Sequence, residues 1–170
     1  MTSTSELLVD GFQRVHGIVH GVVEGLPADA LAFSPGSDAN PIGWLVWHLT
    51  RVQDDHVASA AGTEQRWTAA GWAERFALPF DRSATGYGQR PEETALVTAD
   101  GAHLLGYFDA VHASTIGFVE RLADADLDRV VDTRWEPHVT LGVRLVSVLA
   151  DDLQHAGQAA YLRGLYERRA

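Results

Sequence analysis

The residues that could do chemistry in this chain interrupt an apolar helix. From Leu141 the stripe Leu141-Leu145-Val148 runs into Asp151, Asp152 and His155 before resuming at Ala159 and Leu162. A carboxylate and an imidazole buried side by side cost several kcal/mol unless something compensates them. Positions i and i+4 share one face of a helix, so Asp151 and His155 can point at one atom. That geometry binds a metal ion when a facing element adds a third donor. His48, at the inner edge of the stripe Leu45-Leu49-Val52, is the best source of it. Two imidazoles and one carboxylate would leave coordination positions open, as catalytic rather than structural sites do.

Other readings of the same residues stand beside this one. Asp151 and His155 could form a neutral hydrogen-bonded pair without an ion. Asp152 also faces the core by helical arithmetic, so either aspartate could be the ligand. His48 could be a half-exposed histidine between Trp44 and Trp47. His16 and His20, also four apart, fall just beside the first apolar stripe and read as a solvated helix-edge pair. His103 and His112 have no matching partner, and His138 could line the mouth of a core cavity.

Composition narrows what such a site could serve. The 170 residues contain no cysteine, which excludes disulfides, zinc–thiolate sites, iron–sulfur clusters and a thiol nucleophile of the chain's own. A formal charge of -10 argues against nucleic acid and against an anionic membrane surface. The stretch from Met1 to Glu6 is polar, the apolar runs are too short to span a bilayer, and a cytoplasmic location is the expectation. All 13 basic residues are arginine, which a G+C-rich genome explains.

Four segments must position these groups. Leu8, Phe12, Val15, Val19, Val22 and Leu26 mark a helix over 6–24, with Ser3 and Glu6 as a capping box. Asn40-Pro41 reads as an N-cap followed by proline at the first helical position. The spacing predicts a third helix from Pro91 through Val97, Leu104, Phe108, Val111, Thr115 and Phe118 to Leu122, and a fourth from Thr140 to Glu167. Residues 63–90 read as a long crossover with a short helix near 69–76. There Trp67, Trp72 and Phe76 would make a patch for a homodimer. No alternating strand is evident. The expectation is one all-α domain over 1–170, an antiparallel four-helix bundle with a long crossover between its second and third helices.

Gly43-Trp44-Leu45-Val46-Trp47-His48-Leu49, with the late His155-Ala156-Gly157-Gln158, resembles the DinB/YfiT-like superfamily of four-helix metalloproteins. The Gly25-Leu26 helix end, Asn40-Pro41 and Thr140-Leu141-Gly142 extend the resemblance over nearly the whole chain. It implies Zn²⁺ or Ni²⁺ on one histidine of the second long helix and two ligands four apart on the fourth. Those are His48, Asp151 and His155, with Asp151 preferred to Asp152. Asp151 departs from the usual histidine; the related mycothiol-dependent maleylpyruvate isomerases carry a glutamate there. Relatives such as the bacillithiol transferases imply a metal that activates a small-molecule thiol for transfer or isomerisation on an electrophile. The G+C-rich composition favours mycothiol. Metal-assisted hydrolysis and a non-catalytic dimeric four-helix module are the alternatives.

Overall fold

The computed structural model describes residues 3–169; the first two residues of the polar Met1–Glu6 stretch lie outside them. The chain forms α1 (Thr4–Val23), α2 (Ala28–Leu31), α3 (Ile42–Ala61), α4 (Arg66–Ala69), α5 (Trp72–Phe76), α6 (Pro91–Thr94) and α7 (Gly101–Val119). A 3₁₀ turn (Asp124–Asp128), strands β1 (Val130–Asp132) and β2 (Val139–Thr140), and α8 (Leu141–Glu167) complete it. Four long helices make an all-α bundle in which α1 and α3 each pack against both α7 and α8.

The apolar stripes explain this packing. One end of the core joins Leu8 and Phe12, Val57 and Ala60, Val119, and Leu141, Leu145 and Val148. The other joins Val15 to Val23, Ile42 to Leu49, Leu104 to Val111, and Ala156 to Leu162. The starts of α1 and α8 therefore share an end with the finishes of α3 and α7. α1 runs antiparallel to α3, and α7 to α8. The long crossover returns the chain so that α3 and α7 run the same way. Burying whole helix faces is the dominant stabilising term. A Cβ on Gly11 would lie 2.6 Å from Leu149, so glycine there lets α1 and α8 approach.

Local chemistry moved some boundaries. The capping box forms as read, with Ser3 accepting from the Glu6 N–H and Glu6 from the Ser3 N–H. Pro41 occupies the N-cap itself rather than the first helical position. The third long helix does not begin at Pro91: α6 ends at Thr94, and Asp100 starts α7 afresh by accepting the His103 N–H at 2.7 Å. Val97 is nonetheless buried, packed from the connection. A two-stranded antiparallel ribbon, unforeseen because each strand is only two or three residues, precedes α8.

In that ribbon Asp132 accepts from Arg134 and Arg144, whose cations hold its carboxyl well below the ordinary range. A depressed acid contributes stability that is complete above its unfolded pKa and disappears as pH falls through the folded one. Asp132→Asn is therefore expected to lower the melting temperature at neutral pH, with the gap to wild type closing below about pH 4. A pH-independent gap in thermal melts would refute the assignment.

The crossover lies over the bundle rather than projecting from it. Trp67 and Phe76 are buried, and Trp72 packs with them against Tyr107. Trp67 and Phe76 thus belong to the chain's own core, with Trp72 partly buried against it.

Candidate metal centre

α3 and α8 are antiparallel neighbours, and their facing turns bring His48, Asp151 and His155 together. Each offers a ligand atom within 4.8 Å of the other two. Tetrahedral coordination with bonds of about 2.1 Å puts ligands roughly 3.4 Å apart, so small side-chain rotations close the set on one ion. His48 is buried and the other two are half-buried.

The outer partners leave the correct atoms free. The loop after α5 sets the Thr85 carbonyl 2.6 Å from His48 Nδ1, so Nδ1–H donates there and Nε2 faces Asp151 and His155. Gln158 Oε1 accepts from His155 Nδ1 at 3.1 Å, leaving His155 Nε2, which stands 3.6 Å from Asp151 Oδ1. Such outer contacts fix tautomer and ring orientation at metal sites. Asp151 Oδ2 is buried without a hydrogen-bond partner among the described residues. An orphaned carboxylate oxygen beside two oriented imidazoles suits a divalent ion, and the nitrogen–oxygen donor set suits Zn²⁺ or Ni²⁺.

Charge organises the group further. Burial pushes the His48 pKa down, outweighing its bond to Thr85. Burial opposes ionisation of Asp151, but His155 and the nearby His48 and His56 hold it below the ordinary value. The Asp151 carboxylate in turn raises His155. His48 is thus neutral and Asp151 anionic near neutral pH, the forms that ligate, whereas Asp151 favours protonated His155, whose proton a bound ion would displace.

Asp152 is not part of this set. It is fully buried, one residue round the helix, and both its oxygens lack partners among the described residues. Burial, with the charge of Asp151 added, pushes its carboxyl well above the ordinary value. Leucine has the same number of side-chain heavy atoms and no polar group to desolvate. Asp152→Leu is expected to stabilise the metal-free protein by about 1–3 kcal/mol. Denaturant melts check this; a loss of stability would mean that the carboxyl has a partner.

A family model described as the DinB superfamily matches residues 12–159. The chain belongs to the DinB superfamily. A crystal structure of a conserved protein from Enterococcus faecalis is similar at 28% identity, with a TM-score of 0.89 and 96% of each chain covered. No curated protein matches the chain.

For this DinB-superfamily chain, sequence reading missed the groups that surround the ligands. Thr85 acts through its main chain and carries no sequence signal. Gly86 could have been noticed in Gly86-Tyr87-Gly88. It sits at φ 95°, and a Cβ there would lie 2.6 Å from His48 Nδ1 and 3.1 Å from Trp44 and Trp47. Gly86→Ala is expected to push the loop off His48 and weaken Zn²⁺ binding by about 10–100-fold, the usual cost of losing an outer partner. Calorimetric titration measures it; unchanged affinity would show that Thr85 does not hold the imidazole. His138 is exposed and bonds the Trp135 carbonyl, so it lines no core cavity. Among the described residues no helix is long and apolar enough to cross a membrane.

Proposed function

We propose that the chain is a metal-dependent thiol S-transferase or thiol-dependent isomerase acting on an electrophilic small molecule. The observation that carries this reading is the convergence of His48, Asp151 and His155, with Asp151 Oδ2 otherwise unpartnered among the described residues. A divalent ion held there by three protein ligands lowers the pKa of a coordinated thiol, so that thiolate is present near neutral pH. The chain, having no cysteine, takes its thiol from outside; mycothiol is the favoured candidate.

The protein's own groups do the rest. Thr85 and Gln158 hold the two imidazoles, while the stacked Trp44 ring, 4.5 Å from His48, shields one side from water. His56 lies close enough to Asp151 to feel its charge, and burial and Arg144 lower its pKa. His56 borders a polar cleft of about 380 Å³ lined by Asp55, Ser59, Arg134 and Arg144, and His48, Asp151 and His155 do not line it.

The test is thiol binding to the Zn²⁺- or Co²⁺-loaded protein, followed by turnover of alkylating electrophiles. Mycothiol or a related thiol is expected to perturb the Co²⁺ spectrum, and chelation or His48→Ala to abolish the effect. If no thiol binds the loaded protein, the reading fails. Thiol-independent cleavage of esters or amides would favour metal-assisted hydrolysis, and absence of both would favour a non-catalytic module.

A further inference from the structure

The helix pair on the other side of the bundle carries a second cluster that the α3/α8 centre does not use. His16 and His20, on consecutive turns of α1, both aim Nε2 at Oδ1 of Asp109 on α7, at 3.0 and 2.8 Å. The three ligand atoms lie within 4.8 Å of one another. His20 Nδ1 lies 2.8 Å from Glu24 Oε1. His16 packs over Phe108 and between His20 and His112, with centroids at 4.3 and 4.5 Å from the two imidazoles.

We infer that His16, His20 and Asp109 form a second divalent transition-metal site, taking Zn²⁺ or an ion of similar ligand preference and joining α1 to α7.

The convergence of the donors and their arrangement on the two helices favour an ion over a plain ion pair. Two imidazole nitrogens converge on one carboxylate oxygen, which without a cation needs two N–H groups aimed at a single acceptor. With Glu24 on Nδ1 and Asp109 on Nε2, donation from both ring nitrogens would make His20 an imidazolium between two carboxylates. One ion at the point where Nε2, Nε2 and Oδ1 meet satisfies all three with neutral rings. Glu24 then takes the role of the outer carboxylate that orients a ligating histidine. The donors are two nitrogens and one oxygen, suited to Zn²⁺, Ni²⁺ or Co²⁺ rather than to Mg²⁺ or Ca²⁺. The architecture also repeats that of the first centre: an i,i+4 pair on one helix and a single donor from its antiparallel neighbour. The side chains are 25–46% exposed, so solvent ions reach them and positions for water remain.

The inference does not depend on the function proposed for the α3/α8 centre, and the test removes that centre. Tag-free protein carrying His48→Ala and His155→Ala is stripped with chelator and titrated with Zn²⁺. One ion per chain is expected, with a melting temperature that rises with Zn²⁺ and a Co²⁺ visible spectrum of nitrogen–oxygen type. Adding His20→Ala is expected to remove binding. Adding Asp109→Asn instead should weaken it at least 10-fold, and Glu24→Gln by about 10-fold. Helical content and chelator-treated melts show that each variant is folded, and the Asp109 and Glu24 variants decide the matter if His20→Ala is not. No stoichiometric Zn²⁺ in the double variant, or Zn²⁺ affinity and melting unaffected by all three substitutions, overturns the site.

Discussion

Replacing His155 by alanine, in protein that already carries His20→Ala so that only the α3/α8 centre is titrated, is expected to lower Zn²⁺ affinity by more than about 100-fold. Loss of an outer partner alone costs 10–100-fold at metal sites, and here a ligand is lost. The substitution leaves His48 and the Asp151 carboxylate with no third donor, and it also frees Gln158. The pairing with Asp151 supports this size. His155, with His48 and His56, favours the ionised Asp151 carboxyl against burial, so its removal takes away one of those supports as well as a ligand. Asp151→His, which puts a nitrogen donor in place of the carboxylate, is expected to keep a bound ion. Calorimetry and metal analysis of the dialysed proteins read both variants. Unchanged Zn²⁺ affinity in the His155 variant would remove the basis for the proposed chemistry.

Replacing Arg51 by methionine is expected to cost about 3–5 kcal/mol of folding stability. Arg51 is fully buried at the middle of α3. Its Nη1 donates to Gln65 Oε1 at 2.8 Å and to the Tyr107 hydroxyl at 3.2 Å, and its Nε donates to the Ala84 carbonyl at 3.1 Å. Tyr107 in turn donates to Asp54, which also receives the Arg66 and Trp67 N–H groups that open α4. Methionine fills much of the volume but leaves the buried Asp54 carboxylate without its cation, and that uncompensated charge is the main cost. Part of the loss should return in Arg51→Met with Asp54→Asn, because the two substitutions act on one network and are not additive. Denaturant melts of the two single variants and the double variant give the coupling.

The same substitution is expected to reach the metal centre. Ala84, held by Arg51, adjoins Thr85, which holds His48. Arg51→Met should therefore weaken Zn²⁺ binding at the α3/α8 centre even under conditions where the variant is fully folded. Equal affinity in folded variant and wild type would show that the loop keeps its place without the guanidinium.

The long helices and the three candidate ligands were legible because both are properties of local order. Apolar residues three and four apart must lie on one face whatever they pack against, so the stripes of α1, α3 and α8 appear in the sequence as they do in the fold. Asp151 and His155 share a face for the same reason, and a polar break in an oily stripe is visible without knowing its neighbours. Which aspartate joins the site was not decided by spacing. Asp151 and Asp152 differ by one step around α8, and only the crossing of α8 against α3 turns one toward His48 and the other into the core.

Contacts between distant segments were beyond what spacing holds. The choice of a fresh start for α7 at Asp100 came from one side-chain cap outweighing a continuous apolar pattern across Val97. Thr85 supports His48 through a carbonyl that any residue possesses. His16 and His20 looked like a solvated pair because their partner, Asp109, lies 93 and 89 residues away on another helix. By itself the sequence determined which faces must be buried and which donors each helix can present. Only tertiary packing decided which donors meet, because bringing two helices side by side sets distances that no periodicity within either one contains.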